Sequence, residues 1–298
     1  MKILCFGSLN LDYVYQVDHI LAPGETLTAR SFQIFDGGKG LNQAIALGRA
    51  QADCYMAGMI GQDGTHLLEV LNASNVKTAY VHNTGDKSGH TIIQVDRAGQ
   101  NCIMYFPGAN QMITEDYIDQ TLSFFEKDDY ILLQNEINLI PEIMEKAYQK
   151  GMKIVFNPSP VTDELLHYPM NLVELLILNE IEGNALSGKT EEYEIVESLH
   201  ALYPHTKLLL TLGKNGVLFS DGVVHLTHGI YNTSVADTTA AGDTFTGYFL
   251  AAFTSNKTIA ECLRIASVAS SIAVSRQGAS PSIPVLSEVL SSKLRIIN

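Results

Sequence analysis

The sequence predicts an α/β fold: three layers, αβα, around a mostly parallel central sheet, with a small β-sheet standing off it as a lid. Three observations carry this. Short unbroken apolar runs recur through the chain, helical patterns lie between several of them, and two stretches break the rhythm with no helical pattern. Unbroken apolar runs suit strands buried on both faces, and their alternation with helices suits parallel pairing through crossovers.

Taken in order, the strand-like runs are Ile3–Phe6, 54–59, Tyr130–Gln134, 153–156, 175–178 and Lys207–Thr211. Helical patterns occupy 41–49, 67–73, 141–150 and 193–202. Between 13 and 35 there is no good helix. Between 88 and 106 two alternating runs, 91–95 and 102–106, flank the turn-rich Asp96-Arg97-Ala98-Gly99-Gln100-Asn101. That pattern predicts a β-hairpin. The expectation is one domain over 1–298, with 13–35 and 88–106 forming a lid over an active site within it. An ordinary edge hairpin is the plainer alternative.

Hydrophobic residues make up 46% of the chain and charged residues 17%, enough for a packed core and without the signature of disorder. The longest apolar stretches, such as 172–178 and 208–212, are far too short to span a bilayer. The opening run lacks a signal-peptide cleavage site and reads as a first buried strand. Cys5, Cys54, Cys102 and Cys262 are scattered with no CxxC pair, which predicts free thiols in a reducing, cytoplasmic compartment. The nine histidines show no metal spacing. A net charge of −13 argues against a nucleic-acid partner. A phosphorylated ligand would then be held by helix ends, backbone N–H groups and metal ions.

The chemistry concentrates in Asp237-Thr238-Thr239-Ala240-Ala241-Gly242-Asp243-Thr244-Phe245 and the apolar helical pattern that follows. Small residues at Ala240, Ala241 and Gly242 leave the N–H groups of a helix start open, which makes an anion hole. Asp243 sets a carboxylate beside it. A base next to an anion site is what phosphoryl transfer to an alcohol requires. Taken alone, Asp243 could simply favour the helix dipole.

This segment resembles the C-terminal signature of the ribokinase-like (PfkB) carbohydrate kinases. Gly37-Gly38-Lys39-Gly40-Leu41-Asn42-Gln43-Ala44 resembles the family's other signature. Further matches in family order are Gly7-Ser8-Leu9-Asn10-Leu11-Asp12, Asn157-Pro158-Ser159-Pro160, Asn179-Glu180-Ile181-Glu182, Thr211-Leu212-Gly213-Lys214-Asn215-Gly216 and the stretch from Ser275 to Ser282. The resemblance covers essentially the whole chain. It implies an ATP-dependent sugar kinase with Asp243 as general base and Ala240, Ala241 and Gly242 as the anion hole. Asn10, Asp12, Gly38, Lys39, Asn42 and Glu136 would hold the sugar. Asn179, Glu182, Thr211, Gly213, Gly216 and Gly242 would hold ATP and Mg²⁺. Asp237, Thr239, Ala273, Arg276, Gly278 and Ser282 would bind a monovalent cation such as K⁺. A homodimer through the lid is also implied.

Several plainer readings stand beside these. Gly37-Gly38 fits a tight turn, Asn10 and Asp12 fit turn residues, and Asn179-x-x-Glu182 fits a helix N-cap with its capping-box glutamate. His90, Tyr105 and Phe106 are expected to reshape a sugar pocket, with an exposed lid histidine as the alternative. Two competing functions stay open. One is a kinase of the same fold for fructose, a deoxysugar, a sugar acid or a nucleoside, and the other is a non-catalytic sugar or nucleotide sensor.

Overall fold

The apolar run at the N-terminus forms β1 (Ile3–Phe6), and all four of its residues are buried. The computed structural model, which describes residues 1–297, builds the rest outward from it. The chain leaves β1 for β2 (Asn10–Gln16), which pairs antiparallel with β3 (Ser31–Gly37). α1 (Lys39–Arg49) returns it to β4 (Cys54–Ile60), parallel to β1, and α2 (Thr65–Ala73) leads to β5 (Lys77–Asn83). A second excursion forms the antiparallel pair β6 (Gly89–Val95) and β7 (Asn101–Phe106), with β6 parallel to β2.

The α/β alternation then resumes with α3 (Glu115–Leu122), β8 (Tyr130–Gln134), α4 (Ile140–Gln149), β9 (Lys153–Asn157) and β10 (Val173–Asn179). It continues through α5 (Glu180–Ser187), α6 (Glu192–Leu202) and β11 (Lys207–Thr211). β12 (Val217–Ser220) and β13 (His225–His228) extend the edge antiparallel. After the short β14 (Ile230–Tyr231) come α7 (Ala241–Thr254), α8 (Ile259–Ala273) and α9 (Leu286–Ser291), and β15 (Ile296–Ile297) pairs back with β14.

The main sheet has nine strands in the order β13-β12-β11-β10-β9-β8-β1-β4-β5. Its two faces carry separate apolar clusters. Ile3, Cys5, Leu132, Val155 and Ile177 pack against α1, α2, α7 and α8, while Leu4, Phe6, Leu133, Phe156 and Leu178 pack against α3–α6. Successive residues of one strand thus serve opposite layers, which is why the strands read as unbroken apolar runs.

The small sheet has four strands in the order β3-β2-β6-β7. Residues 13–35, which showed no helix, contribute to two of its strands, and the hairpin at 88–106 supplies the other two. β5, β12 and β13 escaped the sequence reading. β5 and β13 have only exposed and half-buried positions, so neither reads as an apolar run, and β12 is only four residues long.

Two close approaches position the site. A Cβ at Gly40 would stand 2.5 Å from the Ser8 nitrogen, so glycine lets the start of α1 lie on the β1–β2 link. A Cβ at Gly247 would stand 2.4 Å from the Ala46 Cβ and 2.9 Å from the Gln43 carbonyl, so glycine lets α7 lie directly on α1. The starts of α1 and α7 therefore converge at the C-terminal ends of the central strands, where open α/β sheets place their ligands.

Candidate active site

At that convergence lies a cleft of about 250 Å³ lined by Lys39, Asn157, Ser159, Asn179, Glu182, Thr211 and Ala240–Asp243, among others. Asp243 is only 8% exposed. Its Oδ2 accepts from the Asn42 side-chain amide at 3.1 Å and its Oδ1 from that of Gln43 at 2.9 Å. The Gln43 amide also donates to Asn157 Oδ1 at 3.0 Å and its oxygen accepts from Gln134 Nε2 at 2.7 Å. The carboxylate is held in place rather than free to rotate.

Ala240 turns into α7 with a φ of 58°, and no atom stands within 4 Å of where a Cβ at Gly242 would be. The first-turn N–H groups of Gly242 and Asp243 have no carbonyl a turn before them, so they are open to an anion. The Ala241 N–H donates to the Thr238 carbonyl at 3.2 Å, so it drops out of the expected anion hole.

Lys39 brings a cation to the same place. Burial works against its ammonium, but the carboxylates of Asp243, Glu136 and Glu182 outweigh it and hold its pKa above the usual lysine value. Glu136 accepts from the Lys39 backbone N–H at 2.9 Å and from the Ser8 hydroxyl. Burial pushes the Glu136 carboxyl up, against the pull of Lys39 and those two hydrogen bonds.

Asn10 and Asp12, two candidates that fitted turn residues, are strand residues at the foot of the small sheet. Asn10 Oδ1 accepts from Asn110 at 2.6 Å, and Asp12 Oδ1 accepts from the Thr91 hydroxyl at 2.5 Å. Burial raises the Asp12 pKa, with the Thr91 bond opposing and the Asp36 charge adding. Gly38, with a φ of +95°, caps α1 between these residues and Lys39.

Asn179 and Glu182 form a reciprocal capping box on α5. Asn179 Oδ1 accepts from the Glu182 N–H at 2.9 Å and Glu182 Oε2 from the Asn179 N–H at 2.8 Å. Both also face the cleft, so the capping role and the ligand role coexist. Thr211, Gly213 and Gly216 line an adjoining cavity of about 380 Å³ that shares Thr211, Thr238, Ala241 and Gly242 with the cleft. Its wall is apolar, with Tyr231, Val235, Phe245 and Val274. A flat base in the apolar cavity with its phosphates in the cleft matches this division.

The six candidate cation residues gather on the segment before α7 and on the end of α8 with the segment that follows it. The Ala236 and Asp237 N–H groups donate to the Val274 carbonyl at 2.8 and 3.2 Å, and the Gly278 N–H donates to Asp237 Oδ2 at 3.0 Å. Burial pushes the Asp237 carboxyl up, but its bonds from Thr239 and Gly278 more than offset that and hold it below the usual range. The Arg276 guanidinium pairs with Glu288 at 2.6 Å, leaving its backbone for the loop.

One expectation needs correcting. The strand register puts Asp12, Thr91 and Tyr105 on one face of the small sheet, and Tyr13, His90 and Phe106 on the other. The His90 ring packs between Tyr13 and Phe106, at 5.6 and 5.1 Å between centroids. Of the three residues expected to shape a sugar pocket, only Tyr105 faces Asp12. Its hydroxyl lies 3.5 Å from Asn110 Nδ2, and burial together with the Glu136 charge pushes its pKa up to about 12.

Ser8, Gln43, Thr91, Asn110 and Asn157 also build the site, and none of them is a candidate from the sequence alone. Ser8, Gln43 and Asn157 lie inside quoted motifs, where a polar residue at a strand end or in an apolar helix was the available signal. Thr91 and Asn110 carried none.

Comparison with known proteins places this geometry. The model of the pfkB family carbohydrate kinases matches residues 1–286. The chain is 35% identical to the ribokinase of Staphylococcus aureus (strain COL), covering 97% of this chain and 98% of that one. It is 36% identical to the ribokinase of Bacillus subtilis (strain 168), covering 97% and 98%. Its fold is similar to the crystal structure of Thermotoga maritima ribokinase, with a TM-score of 0.86, 31% identity and 98% of each chain covered. It is also similar to Arabidopsis thaliana ribokinase complexed with ribose and ATP, with a TM-score of 0.85, 28% identity and 97% of each chain covered. With the family model spanning nearly its whole length, the chain belongs to the pfkB family of carbohydrate kinases.

Proposed function

We propose that this kinase transfers the γ-phosphate of ATP to a primary hydroxyl of ribose, with Asp243 as the general base. The observation that carries the reading is the placement of the Asp243 carboxylate. It lies in the wall of a cleft, against the open N–H groups of a helix start and near the Lys39 ammonium. Ribokinase relatives over the full chain, one of them solved with ribose and ATP, support the substrate.

The sugar lies between the main sheet and the lid, its hydroxyls held by Asn10, Asp12, Asn42 and Glu136, with Gly38 and Lys39 beneath it. A carboxylate accepts two hydroxyl donors at once, which suits Asp12 and Glu136 to a polyol. ATP lies along the adjoining cavity with its phosphates over Gly242. Asp243 takes the hydroxyl proton as the oxygen attacks the γ-phosphorus. The N–H groups of Gly242 and Asp243, with Lys39, stabilise the charge that spreads over the transferring group.

Asn179 and Glu182 fit a hydrated magnesium ion: an amide and a carboxylate, both oxygen donors, suffice when the ion keeps most of its water. Magnesium would neutralise the phosphate charge. The carboxylate of Asp237, whose pKa the bonds from Thr239 and Gly278 hold below the usual range, supplies an anionic oxygen that fits a potassium ion. The exposed Phe32, Ile34, Met104 and Phe106, on the same face of the small sheet as His90, support a homodimer. All four cysteines are free thiols, three of them buried, which supports a reducing, cytoplasmic setting.

The test is Asp243→Asn, assayed by ADP release with ribose, fructose, deoxyribose and a nucleoside. The variant loses roughly 10²- to 10⁴-fold in kcat on ribose. Near-normal turnover removes Asp243 from the role, and a stronger response to another acceptor moves the substrate.

A further inference from the structure

We infer that Gln43 is a positioning residue for the reaction: it fixes the orientation of the Asp243 carboxylate through a buried chain of amides anchored on the backbone of β10. The inference rests on the reading of Asp243 as the base.

Gln43 is fully buried at 0% exposure, and both its N–H donors and its oxygen are engaged inside the protein. Its Nε2 donates to Asp243 Oδ1 at 2.9 Å and to Asn157 Oδ1 at 3.0 Å, which uses both hydrogens. Its oxygen accepts from Gln134 Nε2 at 2.7 Å. An amide can be turned over in its plane, so the direction of each bond needs a cause. Here it comes from the far end. Asn157 Nδ2 donates to the Ile177 carbonyl at 2.9 Å, and a backbone carbonyl can only accept. Asn157 must therefore present its oxygen to Gln43. Gln43 must answer with its NH₂ group, and the second hydrogen of that group then points at Asp243.

Turning Gln43 over would set its oxygen against Asn157 Oδ1 and the Asp243 carboxylate, and its NH₂ against that of Gln134. Four polar groups would lose their partners in a buried site, where each loss is costly. The arrangement is thus single-valued. It holds Oδ1 from the buried side while Asn42, one residue earlier on α1, holds Oδ2 at 3.1 Å. Gln43 does not line the cleft, so its effect on turnover passes through Asp243. A base pinned in the attacking geometry converts proton transfer from a search into a step.

The test uses Gln43→Met and Gln134→Met in the full chain, with kcat, KM for ribose, KM for ATP and the melting temperature measured for each. Gln43→Met removes one hydrogen bond to a charged group and is expected to lower kcat roughly 10- to 100-fold, with both KM values within about threefold. Gln134→Met frees one end of Gln43 without touching Asp243, and lowers kcat by less. In the Asp243→Asn background Gln43→Met produces no further fall in the residual rate, because the group it acts through is gone.

Unchanged kcat in Gln43→Met overturns the inference. So does a loss confined to KM, or an equal fractional loss in the Asp243→Asn background, since either marks a role that does not pass through Asp243. If Gln43→Met does not fold, Gln134→Met decides, and wild-type kcat in that variant overturns it. Near-normal turnover in Asp243→Asn alone is read separately: it removes the base assignment, and the positioning role falls with it.

Discussion

At Asp12 the demands of binding and of folding pull in opposite directions. Its folded-state pKa is raised above 3.8, mainly by burial. The folded chain therefore holds that proton more firmly than the unfolded chain does. Stability falls as pH rises from the ordinary value through the raised one, and at neutral pH the whole penalty is present. Asp12→Asn removes the ionisation while its oxygen can still accept from Thr91. We expect the variant to melt higher than the wild type at pH 7, by roughly 1–3 °C, with the two curves converging near pH 4. Its KM for ribose rises about 10- to 100-fold, because the sugar loses a charged acceptor. Calorimetry and initial rates across that pH range check both halves, and a variant that melts lower at pH 7 refutes the first. Asp237 has the opposite sign: its pKa is lowered, so its contribution is present at neutral pH and is lost as pH falls.

On α7 two glycines five residues apart should respond in opposite ways to the same change. A Cβ at Gly242 meets nothing within 4 Å, and the space it would enter is the cleft. Gly242→Ala is expected to stabilise the apo protein by roughly 0.5–1 kcal/mol through helix propensity, while the methyl group crowds the phosphate and raises the KM for ATP. A Cβ at Gly247 would stand 2.4 Å from that of Ala46, so Gly247→Ala must push α7 off α1. That overpacking costs about 1–3 kcal/mol. It also draws Asp243 away from Asn42 and Gln43, so kcat falls with stability. Denaturant titration and kinetics of the two variants together decide this, and two variants that shift in the same direction contradict it. The start of α7 was legible because small residues before an apolar helix are a local signal. The close contact with α1 was not, because Gly247 and Ala46 are brought together only by the fold. The same holds for the amide chain, in which Gln43, Gln134 and Asn157 come from three elements far apart in sequence.

Over the whole molecule, the order of layers was legible and the two-sidedness of the lid was not. Strands buried on both faces declare themselves as apolar runs, and β1 and β8–β11 did so. The lid strands alternate, and alternation alone does not say which face meets the sugar. The register separates the two: Asp12, Thr91 and Tyr105 share one face, the inner one in the proposed sugar site, leaving Tyr13, Tyr15, Phe32, Ile34, Met104 and Phe106 on the other. On that outer face Phe32 is 48% exposed, Ile34 51%, Met104 61% and Phe106 52%. Phe32 packs on Tyr15 at 4.8 Å and on Tyr13 at 6.0 Å, so the patch is ordered within the chain yet uncovered. A continuous apolar sheet face of this kind marks an interaction surface. A second lid packed on it would bury the aromatic rings of both copies, the residues that dominate interface energetics. We expect the chain to sediment as a dimer at micromolar concentration, and Ile34→Lys with Met104→Glu to sediment as a monomer with its melting profile retained. Both substitutions sit at exposed positions, so they remove the interface without opening the core. The monomer should also show a raised KM for ribose, because a lid without its partner leaves the strands that carry Asp12 and Thr91 less firmly placed. A wild-type chain that sediments as a monomer, or a double variant that stays dimeric, assigns the patch to something other than self-association.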